Sequence, residues 1–117
     1  MILNKSNIHQ YIYGDMLSCS NLGITSIEDI PDNITHIYCS NNNLTELPEL
    51  PDGLIGLDCD DNQLTILPKL PDGLRRLDCY HNELTSFPTS FDDKQWMVNH
   101  NKLLHRSTII NKIYDIK

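Results

Sequence analysis

The sequence predicts a repeat solenoid, with one short parallel strand per turn on a concave face and irregular connections on the convex side. Three observations predict it. Cysteines stand at 19, 39, 59 and 79, each twenty residues from the last, and their neighbours recur at the same spacing. Apolar and polar residues alternate through each cysteine, the period-two signature of a strand with one buried face. The connections that follow carry paired prolines, at 48 and 51 and at 68 and 71, which a regular α-helix does not tolerate.

The periodicity extends well beyond cysteine, and a repeat of this length decides the architecture. Leu17, Ile37, Leu57 and Leu77 stand two before each Cys. Asn42, Asn62 and Asn82 stand three after, and Ile24, Leu44, Leu64 and Leu84 five after. Aspartate closes the units at 32, 52, 72 and 92. A fifth, imperfect unit arrives one residue early, with Trp96, Val98, Asn101 and Leu103 in the corresponding places.

Taken in chain order, residues 1–13 hold Ile2, Leu3, Ile8, Tyr11 and Ile12, enough for a strand or turn that caps the first unit. Each unit then opens with a strand of three to five residues, too short to stand alone, which pairs in parallel with its copy in the next unit. The bend after it holds an asparagine whose amide offers both donors and an acceptor to buried backbone groups. Asn42, Asn62, Asn82 and Asn101 thus form a structural ladder, and losing one orphans those groups at roughly 1–3 kcal/mol. Leu22 takes this place in the first unit and Gly14 its first Leu place, so that turn is expected to be distorted. The proline-bearing return suits polyproline or 3₁₀ geometry, with a positive-φ turn expected at Gly53 and Gly73. In the tail, 104–117, Ser107 is placed to cap a helix bearing Ile109, Ile110, Ile113 and Tyr114, while the β-branched content equally suits a strand or a frayed end.

The consensus L-x-x-L-x-C-x-x-N-x-L-T-x-L-P-x-L-P-D-G resembles the leucine-rich repeat in its shortest, 20-residue form. Its LPxLP ending is similar to the repeats of bacterial type III secreted effectors, and Cys- and Asn-bearing versions occur in families encoded by giant DNA viruses. The resemblance covers 14–103 and implies a right-handed coil of five units: 14–33, 34–53, 54–73, 74–92 and a partial 93–103. It also implies a binding scaffold rather than an enzyme.

Bulk properties agree with one domain of 117 residues, 39% hydrophobic and 21% charged, so a packed but economical core is expected. The net charge of −7 and the lack of a basic cluster argue against nucleic acid and anionic membranes as partners. Neither a signal-peptide core nor a membrane span is legible, which points to an intracellular, reducing compartment, including a host cytoplasm for a viral or effector protein.

Three arrangements are open to the cysteines. In-register strands about 4.8 Å apart hold their Cβ atoms too far apart for a disulfide, which wants about 3.8 Å. Four thiols along a line do not converge on one zinc ion. A column of buried small hydrophobes at Cys19, Cys39, Cys59 and Cys79 is therefore expected, with Val98 continuing it.

With the cysteines inward, the alternate residues line the concave face. The candidate partner-binding set is His36, Tyr38, Asp58, Asp60, Asp61, Arg76, Asp78, Tyr80 and His81. Tyrosines there are suited to anchor a partner. Asp58 and Asp78 are expected side by side, a repulsion that Arg76 or a basic partner relieves. No P-loop, nucleophile elbow, zinc-protease or dinucleotide motif is present, so no catalytic residue, metal ligand or cofactor is assigned. The sequence thus points to a non-enzymatic protein–protein interaction module that takes a basic or polar segment of another protein. The alternatives are an accessory, multicopy repeat protein without one fixed partner, and, more remotely, a cation-binding or enzymatic protein. Homodimerisation through an end stays open, because so small a stack has little core.

Overall fold

A computed structural model describes residues 1–84. Seven short strands and one 3₁₀ turn follow in the order β1 (Ile2–Leu3), the turn (Ile8–Tyr11), β2 (Ile12–Tyr13), β3 (Met16–Ser18), β4 (Ser26–Ile27), β5 (His36–Tyr38), β6 (Gly56–Asp58) and β7 (Arg76–Asp78). No α-helix occurs among the described residues. Five strands form one sheet in the order β2-β3-β5-β6-β7, and β1 pairs with β4 in a second, two-stranded one.

The twenty-residue period becomes strand register. Leu17, Ile37, Leu57 and Leu77 are Cα partners in succession across parallel pairs. The pairing runs past the three-residue strands: Cys19, Cys39 and Cys59 donate their N–H groups to Tyr38, Asp58 and Asp78, and Asn21, Asn41 and Asp61 to Ser40, Asp60 and Tyr80. Each three-residue strand is thus stabilised by continuous inter-unit pairing, as expected for a repeat fold. Five parallel strands were expected. Among the described residues four are parallel, and the fifth member of the sheet, β2, pairs antiparallel to β3 through Ile12↔Leu17 and Tyr13↔Met16. A tight turn at Gly14 (φ +67°) makes that hairpin. The fifth unit, with Asn101 and Val98, and the tail at 104–117 lie outside the described residues.

The core is one cluster. It contains the inward Leu or Ile of every strand but β2, whose Ile12 packs against it from the edge, the four cysteines, and the recurring Ile or Leu of the connections, such as Ile24, Leu44, Leu64 and Leu84. Leu3 of β1 and Ile8 of the 3₁₀ turn join it at the N-terminal end. The convex side is irregular, as the prolines require.

Two expectations fail in the bends. Gly53 and Gly73 do not adopt positive φ. The left-handed residue falls instead two positions after each cysteine, at Asn21 (61°), Asn41 (54°), Asp61 (55°) and His81 (56°). Asn, Asp and His are the non-glycine types that enter this region most readily. The first unit is also less distorted than its missing asparagine suggested. Its strand keeps register; it differs in the bend, where Leu22 is exposed and Gly23 takes φ +68°, and in the connection, where β4 pairs with β1.

The reason lies in the direction in which the asparagines reach. Asn42 accepts N–H groups from Leu22 and Ile24 and donates to the carbonyls of Cys19, Cys39 and Ser40. Asn62 accepts from Leu44 and donates to Cys39, Cys59 and Asp60. Asn82 accepts from Leu64 and donates to Cys59, Cys79 and Tyr80. Each amide therefore serves the unit before it as well as its own. The first unit has no such unit behind it, and Asn42 satisfies its bend, so no earlier unit loses a partner to leucine at 22.

Candidate functional site

Side chains on the outward side of the sheet line up in rows, because paired residues in register point the same way. Tyr13, Met16, His36, Gly56 and Arg76 make one row. Ser18, Tyr38, Asp58 and Asp78 make the next. The face grades from apolar and aromatic at β2–β3–β5 to charged at β6–β7.

Of the candidate residues, Asp61, Arg76 and His81 are exposed, and His36, Tyr38, Asp58, Asp60 and Tyr80 are half-buried. His36 and Tyr38 stack, with ring centroids 6.4 Å apart and planes within 11°. Thr35 Oγ1 lies 3.0 Å from His36 Nδ1 and fixes the ring. Gly56, their neighbour on β6, is buried beneath that ring: a Cβ there would stand 3.0 Å from His36 Cδ2. The missing side chain lets the ring pack down on the strand, and beside it lies a depression of about 120 Å³ bounded by His36, Tyr38, Asp58 and Arg76.

Asp78 departs from the expectation of an exposed binding residue: it is 5% exposed. Arg76, two residues earlier on the same strand, folds back so that Nε and Nη2 both reach Asp78 Oδ2, at 2.9 and 2.8 Å. This pair relieves the like-charge contact of Asp58 and Asp78, which are register partners. Asp78 is thus a structural anchor for Arg76 more than a contact surface. His81 and Asp61 make a second, exposed pair at 2.9 Å.

Asp58, Asp60 and Asp78 bring carboxylate oxygens within 4.8 Å of one another. Crowding and burial act on their protons. Burial, reinforced by Asp58, Asp78 and Asp61, pushes the Asp60 carboxyl up to about 6, against the N–H of Tyr80 which opposes the shift. Burial likewise raises Asp58. Each carboxylate already accepts a hydrogen bond within the protein: Asp58 from the Asp60 N–H, Asp60 from Tyr80 at 2.6 Å, Asp78 from Arg76. The cluster is therefore built into the fold, and its geometry is accounted for without an ion.

The cysteines are all buried and free. Burial pushes Cys19 and Cys79 up to about 12 and holds Cys39 and Cys59 well above the ordinary thiol range. A thiol so protonated is a poor nucleophile and a poor metal ligand. Cys59 Sγ instead donates weakly to the Asp78 carbonyl, at 3.4 Å.

Sequence reasoning missed three features of the site: the burial of Gly56 beneath His36, the Arg76–Asp78 clamp, and the extension of the face through β2 to Tyr13. A glycine where the other units carry Met16, His36 and Arg76 was a legible signal for the first. Among the described residues, no helix is long and apolar enough to cross a membrane. No curated protein matches the chain. The family model Leucine Rich Repeat matches residues 33–54, the unit that carries His36 and Tyr38, and supports a leucine-rich repeat there, a motif that suggests a protein-interaction module.

Proposed function

We propose that the chain is a short leucine-rich repeat solenoid of the 20-residue type, whose role is non-enzymatic protein–protein interaction through the outward face of its five-stranded sheet. The observation that carries this is the character of that face. It presents stacked His36 and Tyr38, an open depression at Gly56 and a carboxylate cluster, where a merely solvated surface would carry scattered Lys and Glu. Aromatic side chains beside an exposed cleft are what partner-binding hot spots are made of. Four carboxylates, Asp58, Asp60, Asp61 and Asp78, against the single guanidinium of Arg76 favour a basic or polar segment. The Asn ladder and the cysteine column serve the scaffold and leave the outer face to vary. The motif's similarity to effector and giant-virus repeats agrees with a role inside a cell.

The test compares two faces of one protein. A Tyr38→Ala, Asp58→Asn, Asp60→Asn triple variant alters the sheet face. An Asp32→Asn, Asp52→Asn variant alters the acidic depression at Asp29, Asp32, Glu49 and Asp52 on the connecting segments. In a salt-controlled pull-down from native lysate, the first should lose a partner that the second and the wild type retain. Equal capture by all three, or loss only in the second, would contradict the proposal.

A further inference from the structure

We propose that Asp52 and Asp72 are sites of spontaneous isoaspartate formation, the carboxyl of each being attacked by the backbone nitrogen of the glycine that follows it. This modification is independent of what the sheet face binds.

The glycines raise the question. Three equivalent turns lie on the connecting segments, Pro31–Ile34, Pro51–Leu54 and Pro71–Leu74. In each, the last N–H donates to the proline carbonyl, at 3.2, 3.1 and 3.1 Å. The central pairs are Asp32–Asn33, Asp52–Gly53 and Asp72–Gly73, all exposed. Neither glycine takes positive φ, and a Cβ on either would meet nothing within 4 Å. Asn33 fills the same place in the first turn. Backbone shape and packing therefore do not demand glycine at 53 or 73.

What glycine changes there is access. With no Cβ, nothing on residue 53 or 73 shields its own nitrogen. Among the described residues, the N–H groups of Gly53 and Gly73 donate no hydrogen bond, and the Asp52 and Asp72 side chains accept none. Asp52 stands open on the depression that it shares with Asp29, Asp32 and Glu49. Nucleophile and electrophile are thus adjacent in the chain, exposed and unpartnered.

The chemistry needs only water. The Gly53 nitrogen bonds to Cγ of Asp52, the Cγ–O bond breaks, and the amide proton leaves with the hydroxyl as water. The cyclic imide then takes up one water. Opening at Cγ restores aspartate. Opening at the Asp52 main-chain carbonyl leaves the chain running through Cβ and Cγ, with the former main-chain carbonyl as a free carboxylate. Nothing is oxidised or reduced. The backbone of that turn is then one carbon longer, which breaks the Pro51–Leu54 hydrogen bond beside the fully buried Leu54. Asp72 and Gly73 react in the same way.

Timed incubation of the folded protein at neutral pH, followed by digestion, tests this. Isoaspartyl peptides are separated from aspartyl peptides of equal mass and located by electron-transfer fragmentation. Isoaspartate should accumulate at Asp52 and Asp72 several-fold faster than at Asp32, whose turn is the same but whose follower is Asn33. Gly53→Ala, which no contact opposes, should slow it several-fold at Asp52 and leave Asp72 unchanged. Gly53→Asn copies the first turn and should do the same, so the result does not hang on one variant. Isoaspartate that forms only in urea would overturn the proposal. So would equal accumulation at Asp32, or an undiminished rate at Asp52 in the folded variants.

Discussion

The two sides of the same strands obey different rules. On the inside, the same chemistry returns every twenty residues: Leu or Ile, then Cys, then Asn from the second unit on, each in the same contacts. On the outside, no unit repeats another: Met16 and Ser18, His36 and Tyr38, Gly56 and Asp58, Arg76 and Asp78 occupy equivalent places. The difference shows which constraint acts where. A buried backbone carbonyl or N–H must find a partner in every unit, and one side chain does this for the bend behind it. An outward side chain has solvent as an alternative, so its identity is free to serve recognition. Leu22 marks the boundary of the rule, at the one unit where no bend lies behind.

The sharpest break of that comparison is Asn62→Leu. It removes the acceptor for the Leu44 N–H and the donors to the Cys39, Cys59 and Asp60 carbonyls, all in or beside the core. We expect a loss of roughly 3 kcal/mol or more, read by urea unfolding. A smaller effect of opposite sign is expected on the outer face. Asp60→Asn keeps the oxygen that accepts the Tyr80 N–H and removes a crowded charge. The folded-state carboxyl sits at about 6 against an ordinary 3.8, so the folded protein binds this proton more tightly than the unfolded chain. Wild-type stability should therefore fall as pH rises from about 4 to about 6, and the variant should lack that part of the decline. At neutral pH Asp60→Asn should be more stable by about 1–2 kcal/mol after allowance for solvent screening, and indistinguishable below about pH 4. The smallest effect belongs to Leu22→Asn. It restores the consensus where nothing behind it needs the amide, and unfolding should move by less than about 0.5 kcal/mol.

Much of this was legible in the sequence because period and burial are coupled. Cysteines twenty apart fixed the register, and the prolines excluded helices from the returns. The asparagine's capacity to serve backbone was legible too, but not its direction, which depends on how one unit stacks on the next. The left-handed position escaped because glycine drew attention to 53 and 73, while Asn21, Asn41, Asp61 and His81 share a conformation rather than a residue type. On the sheet face, alternation placed Asp78 outward correctly, yet Arg76 covers it. That is a rotamer choice, which no spacing encodes. The antiparallel β2 and the pairing of β1 with β4 follow from end effects, where the repeat pattern is silent.

Residue-resolved amide hydrogen exchange on Asn62→Leu tests most directly whether each asparagine secures the unit behind it. The Leu44 N–H, bonded to Asn62 in the wild type, should lose protection by about a hundredfold, while the Leu64 N–H, bonded to Asn82, should keep most of its own. Loss at Leu64 with Leu44 unchanged would mean that the ladder runs the other way, and the division between a fixed inner side and a free outer face would lose its basis.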